Sequence, residues 1–231
     1  MQVMGKTTTL IFGGNSGIGS VITKEFRNRG DVVYTVSRRE IDSPAHIRYD
    51  FCSDQKFSFG APIDHLVFSQ RYRGASQEDE AQVMLSQPAR IVEELAHRMN
   101  PGGSITFLGS VAGSYTVEEQ PVHYHHIRAG IEAMTRFYAV EFGKFDIRCN
   151  CVIPTTIIKP GNEAFYAPTN VTRQQIEQIT PLGRMATAVD VANVVIFFAS
   201  PGAGFISGQC ITVDGGTSAI GHETVAKILA R

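Results

Sequence analysis

Short apolar runs recur along the chain, separated by longer segments with helical spacing. The runs predict β-strands over Thr8–Phe12, Val32–Val36, Ile47–Asp50, His65–Ser69, Ser104–Leu108, Ile147–Ile153 and Ile211–Val213. Between them, Ile18, Val21, Ile22 and Phe26 repeat at i, i+3, i+4 and i+8, and Ile127, Ile131, Met134 and Tyr138 at i, i+4, i+7 and i+11. Each set forms one buried helical stripe. Val191, Val194, Val195 and Phe198 mark a third helix. A fourth runs from Glu78 to Met99, with a kink expected at Pro88, which has no backbone N–H to give. Strands alternating with helices in this way imply one α/β domain over residues 1–231, a doubly wound, parallel, seven-stranded sheet with helices on both faces. Residues 51–64 break the pattern. They must cross between two parallel strands, yet they hold Gly60 and Pro62 and carry no apolar stripe. This crossover helix is expected to be cut short, leaving its face of the sheet thinly covered or covered by another subunit.

Composition narrows the functional classes. A chain of 231 residues can bury a conventional core without metal or crosslink. Its 21 Lys+Arg against 22 Asp+Glu, a net charge of −1, give no general field for nucleic acid or an anionic membrane. Neither is expected as a partner. Cys52, Cys149, Cys151 and Cys210 have no CxxC spacing, and Cys149 and Cys151 share one face of a predicted strand, so reduced, buried thiols are expected. Met1 to Thr9 lack the build of a signal peptide and no apolar stretch approaches membrane-spanning length, so a cytoplasmic protein is expected.

The first predicted strand runs straight into Gly13-Gly14-Asn15-Ser16-Gly17-Ile18-Gly19, which opens the first helix. Glycines at such a turn allow close backbone approach, and the helix N-terminus offers unpaired N–H groups to a pyrophosphate. Some 20 positions on, where an acidic residue would take the ribose 2′-hydroxyl of NAD, the second strand ends in Ser37-Arg38-Arg39. Two guanidiniums there favour a 2′-phosphate, hence NADP(H). Asp50 stands where a carboxylate could accept from an adenine amino group.

With this loop, the seven-strand pattern and the tail Phe205-Ile206-Ser207-Gly208-Gln209 … Val213-Asp214-Gly215-Gly216, the chain resembles the single-domain short-chain dehydrogenases/reductases from about Thr7 to Thr217. The resemblance implies a Rossmann-type fold, a homodimer or homotetramer, and carbonyl–alcohol interconversion. It also implies cofactor contacts from Gly13, Asn15, Ser16, Gly17, Ile18, Gly19, Ser37, Arg38, Arg39, Asp50, Phe51, Ser69, Tyr124, Arg128 and Ile157. The family's serine after the fifth strand matches Ser110, and its YxxxK tyrosine matches Tyr124 in Tyr124-His125-His126-Ile127-Arg128. Other positions depart from the pattern. The lysine is Arg128, the asparagine of the preceding helix falls at about Met84, the NNAG reads Phe68-Ser69-Gln70-Arg71, and a threonine near the nicotinamide is Lys159.

Reduction of a carbonyl needs a proton donor and a hydrogen bond to the developing oxyanion, roles open to Tyr124 and Ser110. Arg128 can supply a lysine's charge and anchor the ribose, but a guanidinium that stays protonated cannot relay a proton. The expected activity is therefore a carbonyl–alcohol oxidoreductase, slow or narrow in substrate. The rival from another class is a nucleotide-binding protein with little or no catalysis, in a regulatory or scaffolding role. His123, His125 and His126 lack a further carboxylate or cysteine at ligand spacing, so no metal is expected, and one histidine is expected to line the cleft beside Tyr124. Arg71-Tyr72-Arg73, Ser114–Val122 and a lid between Pro160 and Pro181 should bound that cleft, with the two arginines receiving an anionic handle on the small-molecule substrate. In the tail, Val225, Ile228 and Leu229 form a stripe that a neighbouring subunit is expected to cover.

Overall fold

The structure, a computed structural model, describes residues 7–53 and 55–230; Met1 to Lys6, the start of the segment read above for a signal peptide, lie outside the described residues. Seven strands make one sheet: β1 (Thr8–Phe12), β2 (Val32–Ser37), β3 (His46–Arg48), β4 (Ile63–Phe68), β5 (Met99–Leu108), β6 (Arg148–Pro154) and β9 (Cys210–Val213). Their order is β3-β2-β1-β4-β5-β6-β9, and every neighbouring pair is parallel. Two short strands, β7 (Ile157–Ile158) and β8 (Ala186–Thr187), pair separately. No helix among the described residues is long and apolar enough to cross a membrane.

The alternation of side chains along each strand divides the core into two layers. Ile11, Val33, Val67 and Val152 face α1 (Gly17–Arg29) and α6 (Ala188–Phe198), which contribute Ile22, Phe26, Val191, Val195 and Phe198. Leu10, Phe12, Leu66, Phe68, Ile105 and Phe107 face α3 (Gln87–Leu95) and α4 (Val122–Gly143). Burial on both faces explains why these strands read as unbroken apolar runs.

The helix expected over Glu78–Met99 is present in pieces. A short α2 (Gln77–Ala81) passes into a π turn at Gln82–Ser86 before α3 begins. The Gln87 N–H reaches back to the Gln82 carbonyl, so the wider turn comes immediately before Pro88 and takes up the break that a proline imposes. Met99 opens β5 rather than closing the helix, and the third strand ends at Arg48, two residues short of the predicted Asp50.

No helix joins β3 to β4 among the described residues. Four aromatic side chains cover the sheet instead. Phe57 meets Phe12 edge-on at 5.0 Å, Phe51 meets it at 5.8 Å, and Tyr49 packs against both newcomers. Phe59 lies edge-on to Tyr34 at 5.0 Å, and the Tyr49 hydroxyl donates toward Gln87 Oε1 at 3.1 Å. All four rings are buried. The thin cover expected for this face is thus an aromatic plug.

Two sequence expectations change. Of the four thiols only Cys149 and Cys151 are buried; Cys210 is half-buried opposite Cys151, and Cys52 is exposed because the loop after β3 carries it outward. The C-terminal stripe packs within the chain, since α7 (His222–Leu229) lies on α5 (Val171–Ile179) and Gln178 donates to the Ile228 carbonyl at 3.0 Å. Val225 and Ile228 are half-buried there, and Leu229 stays exposed.

The plug predicts a specific loss. Phe57→Ala empties the site between Phe12 and Tyr49, and denaturant unfolding should show a destabilisation of about 3–5 kcal/mol. A loss under about 1 kcal/mol would mean that the ring carries little of the packing.

Candidate active site

The carboxyl ends of β1, β2, β4, β5 and β6 open into one cavity of about 320 Å³. Strands that all run one way deliver their following loops to a single edge, where ligands of open α/β sheets sit. Of the sixteen positions expected from the sequence, all except Gly19 line this cavity: Gly13, Asn15, Ser16, Gly17, Ile18, Ser37, Arg38, Arg39, Asp50, Phe51, Ser69, Ser110, Tyr124, Arg128 and Ile157.

At the loop after β1, Gly13 has φ +77°, and a Cβ there would stand 2.5 Å from the Gln70 nitrogen. Gly19 is buried beneath the loop; a Cβ on it would fall 2.1 Å from the Gly13 carbonyl oxygen. Its role is therefore to let α1 start close under the turn. Ser16 heads the helix without a side-chain cap, so first-turn N–H groups remain for an anionic ligand. These features fit a dinucleotide pyrophosphate.

Asn15 ties the loop to β2, its side-chain amide donating to Ser37 Oγ at 3.2 Å and toward His46 Nδ1 at 3.1 Å. With Nδ1 accepting, the opposite ring nitrogen of His46 donates to the Arg39 carbonyl at 2.9 Å. His46, which carries no motif in the sequence, thereby fixes the turn bearing the two arginines. Arg38 and Arg39 are exposed, and neither has a carboxylate partner among the described residues. Asp50 uses one oxygen to accept from the Cys52 N–H at 3.0 Å and is exposed at the rim.

Deeper in the cavity, Ser110 follows β5 and accepts from the Ala112 N–H, while Tyr124 sits in the first turn of α4. Arg128, one turn on, is buried. Its guanidinium carbon lies 4.3 Å from the Tyr124 ring centroid, and one of its nitrogens donates to Glu80 Oε1 at 3.3 Å. Met84, at the position expected for an asparagine, also lines the cavity from the π turn.

Arg71, Tyr72 and Arg73 bound the cleft as expected, joined by Lys159. Partial burial, and then the neighbouring charges of Arg71 and Arg73, hold the Lys159 ammonium below its ordinary pKa. Ser114–Val122 and the Pro160–Pro181 segment do not line the cavity. Phe165 of that segment is exposed and stacks edge-on to Tyr166. None of the three histidines lines the cavity either. His125 accepts from the Val117 N–H at 2.9 Å, His123 faces Glu80, and His126 is exposed. Glu80 carries no signal in the sequence, because its place beside Arg128 depends on a helix pairing that no local pattern encodes.

The profile of a family described as enoyl-(acyl carrier protein) reductase matches residues 71–218. The chain is 30% identical over 244 residues to the 3-oxoacyl-[acyl-carrier-protein] reductase MabA of Mycobacterium bovis, covering 93% of this chain and 94% of that enzyme. It is 36% identical over 119 residues to an L-rhamnose 1-dehydrogenase (NAD(P)(+)) of Sphingomonas sp. strain SKA58. That match covers 52% of this chain and about half, 46%, of the dehydrogenase. Among solved structures, an aldohexose dehydrogenase of Thermoplasma acidophilum superposes with a TM-score of 0.81 at 22% identity, over 94% of this chain and 96% of that one.

Proposed function

The chain belongs to the short-chain dehydrogenase/reductase family of oxidoreductases, and on that premise we propose that it interconverts a carbonyl and an alcohol with NADP(H), using Tyr124 as acid/base. The observation that carries this reading is the shared cavity, which gathers the glycine loop, Ser110, Tyr124 and a cation against the tyrosine ring.

When bound, the nicotinamide supplies or takes up the hydride. In the reducing direction the Tyr124 hydroxyl gives its proton to the carbonyl oxygen, and the Ser110 hydroxyl hydrogen-bonds that oxygen as its charge develops. Arg128 places positive charge over the ring that loses the proton, and it is the residue available to anchor the ribose. NADP(H) over NAD(H) is supported by Arg38 and Arg39, which offer paired, unneutralised guanidiniums to a 2′-phosphate. The cluster of Arg71, Arg73 and Lys159 supports a substrate with a carboxylate or phosphate handle. Cytoplasmic location and a homodimer or homotetramer belong to the same reading, the second supported by Phe137 and Val140 of α4, 61% and 83% exposed.

A nucleotide-binding protein without turnover is the second reading. It is favoured by one observation: the buried Arg128 is already engaged by Glu80, unlike a lysine free to serve cofactor and proton chain together.

Tyr124→Phe separates the two readings. NADPH affinity, followed by fluorescence titration, should stay within about twofold, while turnover on an active carbonyl substrate falls by about 10²–10⁴; unchanged turnover removes Tyr124 as the acid/base, and NADPH binding with no turnover by the parent on any carbonyl of a broad panel favours the binding protein. Replacing Arg38 and Arg39 together by Ala should weaken NADPH about 10–100-fold and leave NADH nearly unaffected. Equal losses for both cofactors would remove the 2′-phosphate assignment. Arg71→Ala with Arg73→Ala should raise KM about tenfold for oxo-acids and leave their neutral amides alone. Unchanged kinetics on both would set aside the anionic handle.

A further inference from the structure

Arginine at position 128 poses a physical problem. Its side chain is 4% exposed, and a guanidinium removed from water needs a counter-charge and a fixed orientation. Glu80, itself 6% exposed, provides both. Oε1 accepts from an Arg128 terminal nitrogen at 3.3 Å, and Oε2 lies 3.3 Å from His123 Nε2. One carboxylate from α2 therefore grips two side chains of α4 that bracket Tyr124 in sequence. His123 lies against one carboxylate oxygen while the other accepts from the guanidinium. The guanidinium in turn lies over the phenol ring, 4.3 Å from its centroid, where the negative face of the ring attracts it.

The π turn helps to place Glu80. It joins α2 to α3 as a wider turn over Gln82–Ser86, and α2 lies against α4. Arg128 Nε remains buried without a hydrogen-bond partner, so the grip leaves one donor of this cavity-lining side chain uncommitted.

We propose that Glu80 is a positioning residue for the reaction: its carboxylate holds the Arg128 guanidinium over the Tyr124 ring and so fixes the phenol for proton transfer. The inference rests on Tyr124 being the acid/base. A lysine, with a compact ammonium on a flexible stem, would need no such clamp; a planar fork does.

The test is a double-mutant cycle on the full chain, with NADPH affinity, KM and kcat measured for each variant. Glu80→Gln keeps shape and removes charge; it should lower kcat about 10–100-fold while NADPH Kd and substrate KM stay within threefold. Arg128→Met removes what Glu80 holds, so adding Glu80→Gln to it should change kcat by less than twofold. A Glu80→Gln kcat within twofold of the parent, or the same fold loss in both backgrounds, overturns the proposal. Should the single Glu80→Gln variant not fold, the fully neutral Glu80→Gln/Arg128→Met variant decides against Arg128→Met alone, a further tenfold loss showing that Glu80 acts elsewhere. Loss of the underlying reading looks different: Tyr124→Phe would then keep full turnover.

Discussion

All seven strands of the main sheet point the same way, and that constraint governs the rest of the molecule. Parallel neighbours cannot be joined by tight turns, so each needs a crossover, and both faces of the sheet must be buried under what those crossovers carry. The same constraint delivers the loops after β1, β2, β4 and β5 to one edge, where the glycine turn, the arginine pair and the Ser110 loop meet. Site and scaffold therefore follow from one geometric fact.

Much of this was legible from residue order. Buried strands announce themselves as apolar runs, and a glycine cluster between a strand and a helix has few other uses. Ser110 and Tyr124 could be placed because the resemblance to the family matched them to its serine and its YxxxK tyrosine. What escaped were features that exist only through tertiary contact. The π turn depends on how α2 and α3 share the strain of Pro88. His46 matters through Asn15 and the Arg39 carbonyl, 31 and 7 residues away in sequence. Glu80 matters through a residue 48 positions on. The histidines near Tyr124 misled for the converse reason: adjacency on a helix turns neighbouring side chains to different faces.

Electrostatically, the chain is nearly neutral as a whole and strongly uneven in detail. Arg38, Arg39, Arg71, Arg73 and Lys159 all border the cavity. Among the described residues, Asp50 is the acidic side chain that lines the cavity beside them. Low-dielectric walls around such a cleft concentrate its field, so anionic ligands are drawn to it even though the net charge is −1. Arg128 is the exception, being neutralised by Glu80 and used at close range.

Phe51 packs edge-on to Phe12 in the core and also lines the cavity, so one ring belongs to both. The loop that carries it has no helical hydrogen-bond ladder among its described residues, which makes it a segment where local opening costs less than global unfolding. Any ligand resting against Phe51 would weigh on that opening equilibrium by mass action. Through that one ring, a ligand in the cleft would raise the hydrogen-exchange protection of the plug, a coupling that a rigid covering helix would have kept apart.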